Sequence, residues 1–514
     1  MAITSISHPH ASRDFYIRFL VILTAFIALT VASWPILFSF NLWVLKDRGS
    51  FLNLDQLLAE HLRLGVDAYY LYGLLPVLLQ HWLFEIFGRG YGPMIASTLV
   101  VMVALAAEWA AVAAVDDKRK GQAVAVIVLL APIVLWVNPN FPYSIVLLTI
   151  LGSLLLVLHW RLDLALLVAA IGCWSVPSLP LCLTALLIIL IVGDWWNRPG
   201  HSALKLTRRL TPAITVYLAI GTVLVFQFGL ASVLATALPI RGAAFYRTAQ
   251  YGFTSLVGFI APGRLGILHY VGSPAGWWLL SNALLLAFGI ASAVELLRSK
   301  RIVPAYFCII LSAVLETVFV TVAYGSAGQH VVYDPIVVFG VLLGLFALPL
   351  GRFRVPLTLV FVTLGVASTI VQARDTANAW RYTLKTPQTA GLYADGEWET
   401  QWSQVLRSSR SHDTFVLSYG SGIHHYFPNV RSPDVWFMQV GQLLPQDEQR
   451  VLAQLYKSDI VVEDLTSATT FIDRDPSIQQ FLKTLCISST TKSFKIWKRC
   501  KPVANLSLHD ADRS

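Results

Sequence analysis

LALLVAAIGCWSVPSLPLCLTALLIILIVG, residues 164–193, decides how many times this chain crosses a bilayer. A single span needs about 20 apolar residues, and this run has 30. Its middle holds Trp174, Ser175, Val176, Pro177, Ser178, Leu179 and Pro180. Each proline removes a backbone donor and pushes the residue before it away from helical geometry. The run therefore reads as two short helices, about 163–174 and 179–193.

Outward from that break, further apolar segments fall at 19–41, 92–115, 122–138, 143–160, 211–238, 273–297, 303–324, 333–350 and 355–373. With the two short helices the count is eleven, starting inside and ending outside. Basic residues then collect in the inner loops: Arg13 and Arg18; Lys118, Arg119 and Lys120; Arg161; Arg198, Lys205, Arg208 and Arg209; Arg298, Lys300 and Arg301; Arg352 and Arg354. Cytoplasmic loops carry such an excess of Lys and Arg. One span in place of two would put the basic 194–210 loop outside and invert every later loop. Segment 74–87 is short and carries Gln80, His81 and Glu85, so it reads as an interfacial helix rather than a span.

Composition agrees. Of 514 residues, 56% are hydrophobic and 13% charged, and the mean hydropathy is +0.63. Soluble domains carry about 25% charged residues. The net charge of +9 follows the inner loops, with no basic stripe of interleaved aromatics, so nucleic acid is not expected as a partner. The first apolar run is too long for a cleaved signal's core of roughly 7–15 residues and reads as a retained helix. The expected fold is a polytopic α-helical membrane protein with about eleven spans and a small C-terminal α/β domain outside. Residues 1–373 form the membrane domain, with external loops 42–91 and 239–272, and 374–514 the soluble domain.

In that tail, 414–419, 459–463 and 494–497 read as strands by alternation, and 445–457 as an amphipathic helix with Leu452 and Leu455 on one side. Cys486 and Cys500 flank a terminal hairpin. In an oxidising compartment they could pair; two free thiols are the alternative. Cys173, Cys182 and Cys308 read as packing residues. No Cys/His spacing suggests zinc, and no phosphate-binding glycine loop or hydrolase elbow is present.

The first external loop is unusually acidic for an oily chain: Asp47, Asp55, Glu60 and Asp67, then Tyr69, Tyr70, Leu71, Tyr72 and Gly73. Residues 51–65 read as a short amphipathic helix with Leu54, Leu57, Leu58 and Leu62 as its stripe and Asn53 as its N-cap. Asp55 would then sit in the first turn, where the helix dipole favours a carboxylate; a purely dipolar role is the plain alternative. Asp67 beside three tyrosines suits a sugar, with rings to stack on pyranose faces and a carboxylate to accept hydroxyl protons. An interfacial aromatic belt is the plain alternative. Arg241, Arg247 and Arg264 in the second external loop suit an anionic phosphate, or lipid headgroups. His330 and Tyr333 precede the late span that begins near Asp334 and Pro335, a pair that also suits a helix start. Glu108 and Glu316 lie within spans, where acids are functional candidates.

The order Asp55, Gly65, Asp67, then Tyr72, Gly73, Leu74, Leu75 and Pro76 resembles the first external loop of the GT-C glycosyltransferases. Those polytopic enzymes include protein mannosyltransferases and aminoarabinose transferases. Phe87, Gly88 and Arg89 before the second long span, the break at Trp174–Pro180 and the soluble external tail also resemble that family. Two departures stand out: Gln56 follows Asp55 where the family commonly has an acidic pair, and the turn is Gly-Leu-Leu-Pro rather than Gly-Pro-Leu. They leave metal dependence open: no metal ligand is assigned, and a divalent cation remains compatible.

The resemblance implies a donor sugar on a polyprenyl phosphate in the bacterial inner membrane. The N-terminus would be cytoplasmic and the tail extracytoplasmic. The acceptor would be a glycan, lipid or protein, and the hexosyl or pentosyl transfer would invert the anomeric centre. It implies Asp55 as general base or acceptor-binding carboxylate and Asp67 as second acid. Tyr69, Tyr70 and Tyr72 would contact the sugar, and Arg241, Arg247, Arg264, His330 and Tyr333 the phosphate end. The competing readings are a polytopic transporter or lipid-carrier flippase, and a noncatalytic envelope-assembly protein that uses its tail as a binding module.

Overall fold

The structure is a computed structural model. It describes residues 13–41, 45, 47–88, 91–116, 118–135, 141–197, 202–238, 274–299, 301–323, 334–418, 422–435, 443–466 and 475–500. The chain divides into two compact units: Met1–Leu37 with Leu71–Arg381, and Phe38–Tyr70 with Tyr382–Ser514.

The first unit is helical. Among the described residues, five helices are long and apolar enough to cross a membrane: Arg13–Ala32, Ile95–Val112, Ser178–Trp196, Ala203–Phe228 and Trp277–Ser299. Shorter apolar helices include Tyr143–Leu158, Leu162–Gly172, Pro304–Phe319 and Asp334–Ala347. The chain is an integral membrane protein. The expected interruption is present: one helix runs Leu162–Gly172 and the next Ser178–Trp196, and the two pack against each other. The expected segment 122–138 is also divided, into Lys120–Leu129 and Ala131–Val134, with Pro132 at the start of the second piece. The last long helix extends beyond the expected 373. It runs Arg354–Tyr382, because no Gly or Pro interrupts residues 366–386.

Segment 74–87 contains the helix Leu75–Phe87. Val77, Leu78, Gln80 and Phe84 are buried, while Trp82, Ile86 and Phe87 are exposed.

The second unit is α/β. A two-stranded antiparallel ribbon pairs β1 (Thr383–Lys385) with β2 (Tyr393–Asp395). A five-stranded sheet contains β3 (Thr414–Leu417), β4 (Val430–Arg431), β5 (Ile460–Asp464), β6 (Leu485–Thr490) and β7 (Phe494–Arg499), in the order β4-β3-β5-β7-β6. β3 lies parallel to β4 and β5, and β7 antiparallel to β5 and β6. The strand expected at 459–463 is shifted by one residue, and the helix Pro445–Lys457 has the expected bounds. That helix buries Val451 and Leu455 against Phe415, Leu417, Val461 and Phe481, with Leu452 packed at the margin.

Residues 38–70, expected as the end of the first span and part of the first external loop, fold with the tail. Phe40 is 1% exposed. Its ring lies 4.4 Å from Trp398, 5.2 Å from Trp402 and 5.8 Å from Phe427. Burying a Phe contributes about 1.5–3 kcal/mol, and each aromatic pair about 0.5–1.5 kcal/mol more. The backbone adds to this: Tyr393 N–H donates to the Phe38 carbonyl at 2.9 Å.

Cys486 and Cys500 form a disulfide across the β6–β7 hairpin, which decides between the two alternatives left open by the sequence. A cross-link closing so short a loop restricts the unfolded chain by about 3 kcal/mol. Cys486→Ser together with Cys500→Ser is therefore expected to lower the denaturant midpoint of the tail unit. Protease resistance of the full-length protein across a urea series checks this, and an unchanged midpoint would contradict it.

Candidate active site

The first acidic helix runs Asp47–Ala59, not from Phe51 as the sequence suggests. Asn53 is therefore an interior residue rather than a cap. It is fully buried, and its Nδ2 donates to the Val435 carbonyl at 2.9 Å. Asp55 then lies well past the first turn and outside dipole range. It is 5% exposed, beside Leu52, Leu54 and Leu57, which are also buried. A carboxylate so enclosed is held by a folded unit, not by a solvated loop.

After the helix, the chain turns sharply to present Asp67. Gly65 adopts φ +79° and His61 φ +61°, left-handed values that glycine takes without a Cβ penalty. Asp67 N–H donates to the Arg63 carbonyl at 2.7 Å. The side chains then form a fork: Arg63 Nε donates to Asp67 Oδ2 at 2.7 Å and Nη2 to Oδ1 at 2.9 Å. The Arg63 backbone N–H adds a third bond at 3.0 Å. These hydrogen bonds from Arg63 hold the Asp67 carboxyl below the usual carboxylate range, so it is ionised at neutral pH. A carboxylate engaged in this way is a poor proton acceptor.

The three tyrosines do not offer open faces. Tyr69, Tyr70 and Tyr72 are 5%, 0% and 7% exposed. Burial pushes the Tyr70 phenol well above its ordinary value. Tyr72 belongs to the helical unit, and its hydroxyl hydrogen-bonds that of Tyr143. Tyr69 and Tyr70 are thus buried in the second unit and Tyr72 in the helical unit.

Residues that sequence reasoning passes over surround Asp67 within the second unit. Asp447, on the tail's helix, has a fully buried side chain paired with Arg450. Its Oδ2 accepts from the Tyr69 N–H at 2.9 Å and the Leu444 N–H at 2.8 Å. Arg450 Nη1 donates to the Asp67 carbonyl at 2.9 Å, and Gln446 Nε2 to the Val66 carbonyl at 3.1 Å. The Arg63/Asp67 spacing of four and the Asp447/Arg450 spacing of three are readable signals. Their partners, far away in sequence, are not.

Asp434 stands beside this cluster, bonded to Gln454. Burial, then the charge of Glu60, pushes its carboxyl up from 3.8 to about 6. A raised carboxyl favours the protonated folded state. Its stabilising effect is complete below about pH 4 and lost as pH rises through about 6. The tail unit is expected to gain roughly 2–3 kcal/mol through this group on going from pH 7.5 to 4. Asp434→Asn should remove that part of the pH dependence. Urea midpoints of wild type and variant at the two pH values provide the comparison; parallel pH profiles would exclude Asp434 as the source.

In the helical unit, the turn at Tyr72–Pro76 meets the break in the 164–193 run. Gly73 N–H donates to the Ser175 carbonyl at 2.7 Å, and Leu75 N–H to the Trp174 carbonyl at 3.0 Å. Non-helical backbone at a helix break needs partners of this kind. Trp174 stacks on Tyr217 with centroids 4.6 Å apart, and its Nε1 donates to the Tyr217 carbonyl at 3.0 Å. Its ring fits because residue 221 is glycine: a Cβ there would stand 2.7 Å from the indole.

Arg241, Arg247, Arg264, His330 and Tyr333 lie outside the described residues. Of the intramembrane acids, Glu316 is 4% exposed, and the Glu108 carboxylate lies over Gly152 of the neighbouring helix. Among the described residues no group of three or more His, Cys, Asp or Glu is arranged to hold a metal ion. A polar cleft of about 430 Å³ is lined by Ser409, Arg410, His412, Asp413 and Arg431, among others. There Arg431 is already paired with Asp413 at 2.9 Å.

No protein-family model matches the sequence, and no curated protein matches it. Among solved structures, the chain is similar to ArnT from Cupriavidus metallidurans in the apo state, at 11% identity and TM-score 0.36. The alignment covers 92% of this chain and 97% of that one. The same protein bound to undecaprenyl phosphate aligns over the same shares at 13% identity and TM-score 0.36. A likeness of this degree is too slight to carry a functional argument.

Proposed function

We propose that the chain is a membrane glycosyltransferase of GT-C type. It moves a hexosyl or pentosyl group from a polyprenyl-phosphate donor to a glycan, lipid or protein acceptor at the outer face of the bacterial inner membrane. Eleven crossings, a cytoplasmic N-terminus and an extracytoplasmic tail complete this reading. The observation that carries it is the bonding of Gly73 and Leu75 to Ser175 and Trp174. The two sequence features of the family resemblance, the Tyr-Gly turn and the proline break, support one another in space although about a hundred residues separate them. The burial of Asp55 within the second folded unit adds support.

In this reaction the acceptor oxygen attacks the anomeric carbon as the bond from that carbon to the lipid phosphate breaks. The phosphate leaves with the electron pair, and the anomeric centre inverts. Asp55 takes the acceptor's proton, and its contribution depends on being placed against the hydroxyl. Asp67, held ionised by Arg63, orients sugar or acceptor hydroxyls. Arg241, Arg247 and Arg264, with His330 and Tyr333, are assigned to the leaving phosphate, whose growing charge needs cationic donors.

Purified protein in liposomes, supplied with a pool of polyprenyl-phosphate-linked sugars and candidate acceptors, is expected to release free polyprenyl phosphate. Turnover with nucleotide sugars alone would overturn the donor assignment. Movement of the lipid donor across the bilayer with its phosphate–sugar bond intact would favour a flippase.

A further inference from the structure

We propose that Asp447 and Arg450 are positioning residues that fix residues 65–70, and so Asp67, by tying them to the tail's helix. The inference rests on the glycosyltransferase reading. It makes the tail part of the catalytic assembly rather than a separate acceptor-binding module.

The geometry is a latch of five bonds from one helix to a short stretch of backbone and to its own first turn. Asp447 sits at the third position of Pro445–Lys457 and reaches back to the Leu444 N–H, which is half of a capping box. An ordinary capping acid would stop there. The same Oδ2 also accepts from the Tyr69 N–H, two residues beyond Asp67. Its other oxygen pairs with Arg450. Arg450 in turn donates to the carbonyl of Asp67 itself, and Gln446 to that of Val66. The backbone is thus gripped at residues 66, 67 and 69, on both sides of the Asp67 side chain. Arg63 fixes the side chain from the other direction. With the peptide held at 67 and the carboxylate held by a fork, Asp67 has little remaining freedom.

Asp447 is wholly buried, and a buried carboxylate survives only when its oxygens are bonded. Capping a surface helix requires no such burial. The placement suits a group whose task is to hold the acidic segment, because positioning errors of about 1 Å cost on the order of 10²-fold in rate.

Asp447→Asn and Arg450→Lys in the full-length, membrane-inserted protein test this. Amide exchange at Tyr69 is expected to quicken at least tenfold in Asp447→Asn, with exchange in β3 and β5 unchanged. The kcat for transfer should fall at least tenfold in the same variant, with the KM for the lipid donor within twofold of wild type. Arg450→Lys keeps a donor and should recover part of kcat. Unchanged exchange at Tyr69 would overturn the latch. So would equal acceleration through β3 and β5, which reports only a destabilised sheet. If Asp447→Asn fails to fold, Gln446→Leu, at an exposed position, should still quicken exchange at 66–69; no change there overturns the proposal as well. The glycosyltransferase reading fails separately, when the wild-type protein in liposomes releases no polyprenyl phosphate from lipid-linked sugars, and the exchange data then still decide the latch.

Discussion

Asp55→Asn is expected to cut sugar transfer by about 10²–10⁴-fold, the usual range for loss of a positioned proton acceptor, in a protein that remains inserted and folded. Asn matches Asp in shape but cannot accept the acceptor's proton. Asp67, by contrast, is forked to Arg63. Asp67→Asn should therefore act mainly by loosening the fork, with a smaller loss in kcat. Both substitutions touch a packed unit, so each needs a folding control. The Cys486–Cys500 disulfide and the protease resistance of the tail supply one, since both belong to the unit that contains Asp55. Full transfer by a folded Asp55→Asn protein would sink the assignment of the base. A tenfold loss that tracks loss of protease resistance would reduce Asp55 to a structural residue.

The parts of this fold that are legible in sequence come from local rules. Two prolines in an apolar run must end a helix, and the break between Gly172 and Ser178 is where they put it. The amphipathic pattern of 445–457 likewise fixes that helix to the residue. What stays hidden depends on distant partners. Nothing near Asn53 indicates that its amide donates to the Val435 carbonyl, so a local rule reads as an N-cap a residue that lies inside the helix Asp47–Ala59. Nothing near Phe40 indicates that it completes a cluster with Trp398, Trp402 and Phe427. Hydropathy therefore attaches the whole first loop to the membrane domain, although its part up to residue 70 folds with the tail. The tyrosines are a related case. A ring that suits a pyranose face suits a protein core equally well, and only burial separates the two uses. The candidate acids are legible as acids, but the bond from Arg450 to the Asp67 carbonyl joins residues far apart in sequence.

Gly73→Ala is expected to be the most destructive methyl addition among the described glycines of the helical unit. A Cβ at residue 73 would stand 2.1 Å from the Trp174 carbonyl oxygen, 2.4 Å from its carbon and 2.9 Å from the Ser175 nitrogen. These are backbone atoms at a helix break, and no rotamer change can move them. Restoring an ordinary contact requires a shift of about 1 Å or more, which would part the Gly73–Ser175 and Leu75–Trp174 bonds. Overpacking costs about 1–3 kcal/mol, and each lost hydrogen bond about 0.5–1.5 kcal/mol. A total of about 4 kcal/mol is a large share of the roughly 5–15 kcal/mol that stabilises a folded domain. The loss should appear as a drop of several degrees in the thermal midpoint of the detergent-solubilised protein. Gly193→Ala is the matched control. It lies in a helix of the same unit with nothing within 4 Å of its added carbon, and alanine there should be neutral or slightly stabilising. Equal midpoints for the two variants would mean that the turn does not press on the break. The resemblance of the two motifs would then lose the contact that joins them.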